Sequence, residues 1–266
     1  MTPRTALVRA CPRGILLLLL AALPLGAQSS ANGGNGAAVK PVRVPELAAL
    51  LQQLDTARRR ENETEMRRLA TKFSEYARDH ATDADAFFLA ASAHDALLNL
   101  AVLRYKKDEA RKELELAMDC VNRAIELDAG RAEPFALRAQ LYGWKVGLAN
   151  PFSRVFSAIS NGGRIKENLQ TALRLEPKNP AVHLSFGMED YYKPPAAGGD
   201  LRRAVEHFKK AVECDPRSID GWLWLGLAEK ELRNIREARE AFQKVLELDG
   251  DHVRAARELA SLTTRR

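Results

Sequence analysis

Residues 219–251, IDGWLWLGLAEKELRNIREAREAFQKVLELDGD, carry the pattern that decides the fold. Apolar residues recur at helical spacing on both sides of a short polar turn, which predicts two amphipathic helices. One stripe of each helix is apolar or small, with Trp222, Leu225 and Gly226 in the first and Ala238, Phe242 and Val245 in the second. Gly226 and Ala238 allow the two backbones to approach closely. We expect Trp222 and Phe242 to fill the space between neighbouring helix pairs.

The second-helix pattern recurs upstream. Four sets share spacings of 4, 3 and 5 residues: Ala238, Phe242, Val245, Gly250; Ala204, Phe208, Ala211, Pro216; Ile165, Leu169, Ala172, Pro177; and Ala117, Val121, Ala124, Ala129. A small residue on each first helix completes the pattern, at Ala91, Ala139, Gly187 and Gly226. This regularity predicts stacked copies of one helical hairpin, each burying its apolar face against the next.

These residues resemble the tetratricopeptide repeat (TPR), a helical hairpin of about 34 residues. The resemblance covers roughly residues 84–251 and implies an all-α fold, a TPR-like α-α superhelix. Such a fold is a right-handed solenoid of helical hairpins, here with about eleven helices. A looser, architectural resemblance to the regulator of microtubule dynamics family comes from the long second unit and from an extra helix predicted before RIKENLQTALRLEPKNP.

We predict five segments along the chain: a signal peptide over residues 1–27, a flexible linker over 28–44, an N-terminal capping helical hairpin over 45–83, four TPR-like units with insertions over 84–251, and a C-terminal capping helix over 252–266. Three arginines precede the apolar run Ile15–Leu25, which is too short to span a bilayer as a helix. Small residues follow, which predicts cleavage after Ala27. An uncleaved anchor is the alternative. The leader and composition are typical of a bacterial exported protein, so we expect a secreted or periplasmic location without a stable membrane span after cleavage.

The charge balance argues against nucleic acid as a partner. The chain has 41 basic and 35 acidic residues, and loss of the three leader arginines lowers the formal net charge from +6 to about +3. No basic stripe with interleaved aromatic residues accompanies that small excess. Cys120 and Cys214 fall on helices two repeats apart, which is too far for a disulfide, so we expect both to be small, buried or partly buried apolar residues.

The units differ in length. From the small residue of the first helix to the start of the second-helix set there are 12 residues after Gly226, 17 after Gly187, and 26 after both Ala91 and Ala139. Glycine and proline are absent from Ala84 to Asp128, which predicts two longer helices that turn near Lys106–Asp108. In the next unit, Asn150–Pro151 and the glycines after Asn161 predict two breaks, with a short extra helix, PFSRVFSAIS, between them.

Catalytic and metal-binding signatures are missing from the sequence. His183 with Glu189 and Asp190 is the nearest approach to a cluster, and a metal site would need further ligands. His183 takes the position that Trp222 has in the last unit, so we expect it to fill the gap between repeats. We therefore predict no enzyme activity, no metal and no cofactor.

The resemblance implies a concave groove lined by the first helix of each hairpin. The predicted lining is Phe88, Ser92, Asp95, Ala136, Gln140, Trp144, Leu184, Met188, Tyr191, Tyr192, Leu223, Leu227 and Lys230. This lining is mostly apolar and aromatic, which suits an amphipathic helix or an extended apolar segment of a protein partner. Trp144, Tyr191 and Tyr192 are the expected anchors. The lining lacks the Lys/Asn/Arg set with which some TPR proteins hold a chaperone's C-terminal carboxylate.

The sequence therefore predicts a non-catalytic interaction or scaffolding module of the cell envelope. Two alternatives stay open. The groove could be filled by residues 151–160 or by the N-terminal helix of the chain itself. The insertions could instead enclose a pocket for a small hydrophobic ligand, which would make the protein a solute-binding accessory subunit.

Overall fold

The computed structural model describes residues 45–150 and 152–263. Within these ranges the regular structure is helical: α1 (Pro45–Arg59), α2 (Glu63–Asp79), α3 (Ala84–Leu103), α4 (Lys107–Leu127), α5 (Ala132–Gly147), α6 (Arg154–Leu175), α7 (Pro180–Tyr192), α8 (Leu201–Cys214), α9 (Ile219–Glu231), α10 (Ile235–Leu248) and α11 (Val253–Thr263). These eleven helices of the described ranges confirm the predicted all-α solenoid. The predicted signal peptide and linker lie outside the described residues.

The helices pair in sequence order. α3 packs on α4, α5 on α6, α7 on α8 and α9 on α10, and the odd-numbered helices also touch one another in succession. The odd-numbered helices therefore form an inner layer and the even-numbered helices an outer one, as stacked hairpins require. The sharp turn predicted near Lys106–Asp108 is confirmed, because α3 ends at Leu103 and α4 begins at Lys107.

Glycines on the inner layer let two hairpins close tightly. A Cβ added at Gly226 would lie 2.6 Å from Phe242 Cε1, and one added at Gly187 would lie 2.4 Å from Phe208 Cε1. No real Cβ occupies such a position, so each phenylalanine ring packs directly on the backbone of the facing helix. The glycines therefore allow the close approach of the two helices that was predicted, while Phe242 packs within its own hairpin and not only between neighbouring ones.

The two tryptophans of α9 differ in how deeply they are buried. Trp222 is half-buried and its indole nitrogen donates to the carbonyl of Pro216 at 2.9 Å. His183 makes the equivalent contact one repeat earlier, 2.9 Å from the carbonyl of Pro177, which confirms their predicted correspondence. Trp224, only 1% exposed, fills the space between the repeats. Trp222, which was predicted to do so, is only partly buried and packs against the same core.

The two cysteines of the described ranges are free. Cys120 is partly buried, as predicted, and burial raises the pKa of its thiol to about 11. Cys214 is exposed at the end of α8, so its predicted burial was wrong.

The extra helix predicted over PFSRVFSAIS does not form as a separate element. α6 runs without a break from Arg154 to Leu175, through Gly162 and Gly163. Both glycines are exposed, and an added Cβ at either would meet nothing within 4 Å. Packing of one face of α6 against α5 thus outweighs the low helix propensity of two glycines. The looser resemblance to the regulator of microtubule dynamics family rested partly on this separate extra helix, which the continuous α6 replaces.

Substituting either of these glycines by alanine is expected to raise the free energy of unfolding by about 0.5–1 kcal/mol, because alanine loses less backbone entropy in a helix. Urea denaturation of Gly162→Ala checks this. Gly187→Ala is the matched control, since its new methyl would collide with Phe208, and it should destabilise. Equal effects at the two positions would contradict the described path of α6.

The turn between α7 and α8 depends on its glycines and on a capping carboxylate. Gly198 has a φ of +91°, which glycine adopts without strain, and the Asp200 carboxylate accepts a bond from the Arg202 amide at 2.8 Å. A Cβ at Gly199 would lie 1.8 Å from the carbonyl oxygen of Lys193. The prolines and glycines of this segment are therefore explained by the geometry of the turn.

Among the described helices, α3 is long and apolar enough to cross a membrane, with a mean hydropathy of 1.6 in its most apolar stretch. Of that stretch, 83% is buried inside the fold. The core helix of a soluble protein passes the same test, and α3 packs against α2, α4 and α5.

Candidate functional site

The side chains predicted to line the groove are covered to different degrees. Those buried are Phe88, Ser92, Asp95, Ala136, Trp144, Leu184, Met188, Leu223 and Leu227. Those half-buried are Gln140, Tyr191, Tyr192 and Lys230. The inner face thus offers a partner mainly its half-buried residues, and of the three expected anchors Trp144 lies beneath the surface. That these residues bind a partner stays a prediction.

The turn after α1 reaches across to the last repeat. Four ion pairs make the connection: Arg58 with Asp220 at 2.7 Å, Arg59 with Asp249 at 2.7 Å, Arg60 with Asp251 at 2.8 Å, and Arg257 with Glu61 at 3.2 Å. We call these four pairs the clasp. The clasp brings the end of α1 against the start of α9 and against the turn before α11.

The four ion pairs differ in how deeply their side chains are buried. The Arg58 and Asp220 side chains are 12% and 7% exposed, whereas those of Arg60 and Asp251 are 57% and 71% exposed. Exposed pairs contribute little to stability, because water and salt screen them. The Arg58–Asp220 pair is the one whose disruption would leave a buried charge behind.

The alternative that residues 151–160 fill the groove was wrong. Phe152 is 99% exposed, and Phe156 and Ile159 are each 75% exposed. These exposed side chains therefore do not fill the groove.

A buried carboxyl lies at the centre of the inner face. Asp95 on α3 accepts bonds from Gln140 Nε2 on α5 at 3.0 Å and from Asn99 Nδ2 at 3.0 Å. Burial raises the pKa of Asp95 to about 7, although the bonds from Gln140 and Asn99 and the charge of Arg58 act in the opposite direction. Asp95 is therefore close to half ionised near neutral pH, beside the clasp.

Asp95 should make stability depend on pH. Its folded pKa lies above the value of 3.8 for a free side chain, so the folded state binds the proton more tightly. Stability is then lost as pH rises from about 4 to about 7, with a loss of about 2–3 kcal/mol between pH 5 and pH 8. Asp95→Asn should abolish that slope, measured as urea midpoints at the two pH values. A variant as pH-dependent as the parent would contradict this assignment.

Aromatic rings cluster at the end of α7. The Tyr191 and Tyr192 rings lie edge-on to the Trp224 ring, with centroids 5.5 and 5.7 Å away. The guanidinium of Arg254 on α11 lies 5.3 Å from the centroid of the same indole. The buried Trp224 thus holds two half-buried tyrosines in fixed orientations on the inner face. We call Tyr191, Tyr192 and Trp224 the aromatic platform.

The His183, Glu189 and Asp190 side chains do not assemble into a metal site. Asp190 pairs with Arg203 at 2.6 Å and Glu189 with Lys193 at 3.2 Å. His183 turns to the Pro177 carbonyl. Across residues 45–150 and 152–263 there is no group of three or more His, Cys, Asp or Glu side chains placed to hold a metal ion.

Sequence reasoning missed one constellation with catalytic geometry. Ser74 Oγ lies 3.0 Å from His94 Nε2, and His94 Nδ1 lies 2.7 Å from Glu113 Oε2. Serine, histidine and carboxylate in this order form a nucleophilic triad in many hydrolases. The three residues lie 20 and 19 positions apart on α2, α3 and α4, without a local motif that would reveal them.

The setting of Ser74 lacks what acyl transfer needs. Ser74 lies inside α2, where its hydroxyl also donates to the Ala70 carbonyl at 2.8 Å. Amides in a helix interior bond to the carbonyl four residues before them, so they cannot stabilise an oxyanion. We interpret this constellation as an interhelical hydrogen-bond network that joins the first hairpin to the second.

Comparison with known proteins identifies the repeat. Residues 219–252 match the family model of the tetratricopeptide repeat. An uncharacterized protein of Methanocaldococcus jannaschii, MJ0572, is 38% identical over 64 residues, which are 23% of this chain and 74% of that protein. The co-chaperone sgt12 of Aspergillus fumigatus is 32% identical over 95 residues, which are 36% of this chain, and the chain spans only 26% of the co-chaperone.

A solved structure supports the same fold. TTC0263, a thermophilic TPR protein of Thermus thermophilus, superposes with a TM-score of 0.57 over 81% of this chain and 99% of that chain, at 13% identity. At this identity the likeness concerns the fold alone. Together with the repeat match, the buried small and large residues of each hairpin and the relative in Methanocaldococcus jannaschii, it leads to one conclusion. The chain belongs to the tetratricopeptide repeat family.

Proposed function

We propose that the chain is a non-catalytic protein-interaction module of the cell envelope, and that its inner face binds an apolar or amphipathic segment of a partner protein. The observation that carries this proposal is the aromatic platform on α7 and α9. Two half-buried tyrosines on α7, a helix of the inner layer, pack against one buried indole. The location in the cell envelope rests on the leader sequence.

The platform suits recognition of an apolar segment for an energetic reason. Tyrosine presents a large contact area and has few rotatable bonds, so a partner that packs on it loses little side-chain entropy. Packing against Trp224 reduces that loss further, because the rings are already oriented.

Lys230 is the basic residue predicted for this face, and because it is already paired, an apolar segment is favoured over a terminal carboxylate as the ligand. Lys230 Nζ lies 2.6 Å from Glu258 Oε2 and 2.8 Å from Ser261 Oγ, so α11 already satisfies it. A partner carboxylate would have to displace Glu258. Similarity to the co-chaperone sgt12 supports the general class of interaction protein, but the inner face does not reproduce a carboxylate clamp.

The alternative, a small hydrophobic ligand, has less support. A depression of about 410 Å³ is lined by α1, the turn after it and the start of α2, and Gln52, Gln53, Arg60 and Glu65 contribute polar groups to its lining. An apolar ligand would leave those polar groups unpaired.

Site-specific photocrosslinking in cells tests the proposed surface. A benzophenone amino acid at Tyr192 should capture a discrete protein, whereas the same residue at Ile235, 41% exposed on α10, should not. A synthetic peptide of the captured segment should then bind the parent chain and bind Tyr192→Ala at least tenfold more weakly. Capture from Ile235 alone, or only intramolecular adducts from Tyr192, would contradict the proposal. A bound lipid or metabolite that co-purifies in constant ratio would favour the alternative.

A further inference from the structure

Four large apolar side chains stand in solvent where α5 connects to α6. Phe152 is 99% exposed, Val155 70%, Phe156 75% and Ile159 75%. We call these four residues the tip stripe. Isolated apolar residues on a surface need no explanation, but a contiguous group of this size indicates an interaction site.

The tip stripe points directly away from the protein. Val155, Phe156 and Ile159 have the spacing of one helix face, and Phe152 lies in the turn just before α6. The residues that α6 buries, among them Asn168, Leu169 and Ala172, lie on the opposite side. Folding of the described chain therefore gains nothing from the four apolar side chains, and their contact must be with something else.

The charged residues of the segment that carries the tip stripe are all basic. Between Glu133 and Glu167 the sequence has no acidic residue and five basic ones: Arg138, Lys145, Arg154, Arg164 and Lys166. Lys145, Arg164 and Lys166 are exposed, and the Arg164 guanidinium lies 5.5 Å from the centroid of the Tyr142 ring. The segment from Arg138 to Lys166 therefore combines an apolar stripe with cationic groups and an aromatic ring, which is the composition of a segment that lies in a membrane interface.

We propose that the tip stripe docks the protein on an anionic lipid bilayer, with the four apolar side chains among the acyl chains and the basic residues at the headgroups. Two exposed turns of helix are too short to span a bilayer, so the contact is peripheral. Charge complementarity decides between a bilayer and a second copy. In a two-fold dimer each patch meets its own copy, which would bring the basic residues of both chains together. An anionic surface instead attracts each of them.

This proposal does not depend on the proposed function, because the tip stripe and the aromatic platform belong to different helices. If both hold, the protein would present its inner face to a partner while resting on the membrane surface.

The test must report on the tip itself, since the leader in the full chain could bind lipid. A tryptophan placed at Phe156 in the full-length protein serves this purpose, with the emission of the parent's three tryptophans subtracted. Vesicles contain phosphatidylglycerol and phosphatidylcholine in a 3:7 ratio, with brominated acyl chains that quench only nearby indoles. We expect strong quenching of Phe156→Trp and no added quenching of the matched control Ile235→Trp.

Further variants and conditions separate the apolar contribution to bilayer binding from the electrostatic one. Adding Phe152→Ser and Ile159→Ser to Phe156→Trp should weaken partitioning by on the order of tenfold or more, since two large apolar side chains no longer insert. Pure phosphatidylcholine vesicles, or 0.5 M salt, should also weaken it by at least tenfold. Helicity should not change, because the replaced side chains are exposed.

Three outcomes would overturn the proposal. The first is an unquenched Phe156→Trp, and the second is equal quenching of Phe156→Trp and Ile235→Trp. The third is a lipid-free dimer of the parent chain in sedimentation velocity that Phe152→Ser with Ile159→Ser converts to a monomer. That result would assign the tip stripe to a second copy of the chain.

Discussion

Trp224→Ala is expected to lower the free energy of unfolding by about 3–5 kcal/mol, the cost of removing a fully buried aromatic side chain. The indole contacts four rings or cations on three other helices, namely Tyr191, Tyr192, Phe208 and Arg254. Its loss leaves a cavity where α7, α8, α9 and α11 meet. Because that cavity is bordered by helix backbones already in contact, the neighbours cannot collapse to fill it.

Trp222→Ala is the matched control for this prediction. It removes the same number of atoms two residues away, but from a half-buried position with one hydrogen bond to the Pro216 carbonyl. We expect a loss of about 1–2 kcal/mol. Urea denaturation followed by circular dichroism measures both variants. A larger loss for Trp222→Ala than for Trp224→Ala would contradict the described orientation of α9.

Arg58→Met is the second substitution with a large expected effect, about 3 kcal/mol. It leaves Asp220, 7% exposed, without its cation, and it also removes the pair between Arg58 and Asp55 at 2.8 Å. Arg60→Met is the control, because its exposed pair with Asp251 should contribute less than about 0.5 kcal/mol.

Hydrogen exchange gives the location of the effect. In Arg58→Met the amides of α1 should exchange faster than in the parent, because the clasp no longer holds the first hairpin to the last repeat. In Arg60→Met they should not. The double variant Arg58→Met with Asp220→Leu should recover part of the stability, since it leaves no buried charge unpaired in that pair. If the double variant is less stable than Arg58→Met, Asp220 is not stabilised by Arg58.

The hairpins could be predicted from the sequence because their determinants are local. The spacing of 4, 3 and 5 residues in the second-helix set recurs in four units, and in the folded structure Phe242 of the last set packs on Gly226 of the first helix. The N-terminus of α2 also depends on a short-range signal, since the Asn62 side chain accepts a hydrogen bond from the Glu65 amide there.

The remaining features depend on contacts between distant residues. Arg58 and Asp220 are 162 positions apart, so no local sequence pattern predicts the clasp. Of the two tryptophans in α9, periodicity selected Trp222, while the aromatic platform is built on Trp224 by rings from α7. Propensity predicted a break at Gly162 and Gly163, and packing on α5 overrode it. The predicted groove residues are on the inner layer, but their burial is set by neighbouring inner helices and could not be inferred from one sequence.

Hydrogen–deuterium exchange of the full-length protein, with and without the peptide recovered from the Tyr192 crosslink, tests most directly that the inner face is the binding surface. We predict slower exchange in peptides covering residues 184–193 and 223–231, on α7 and α9, with no change on α10. Slower exchange confined to α10 or to residues 152–160, with α7 and α9 unchanged, would contradict it.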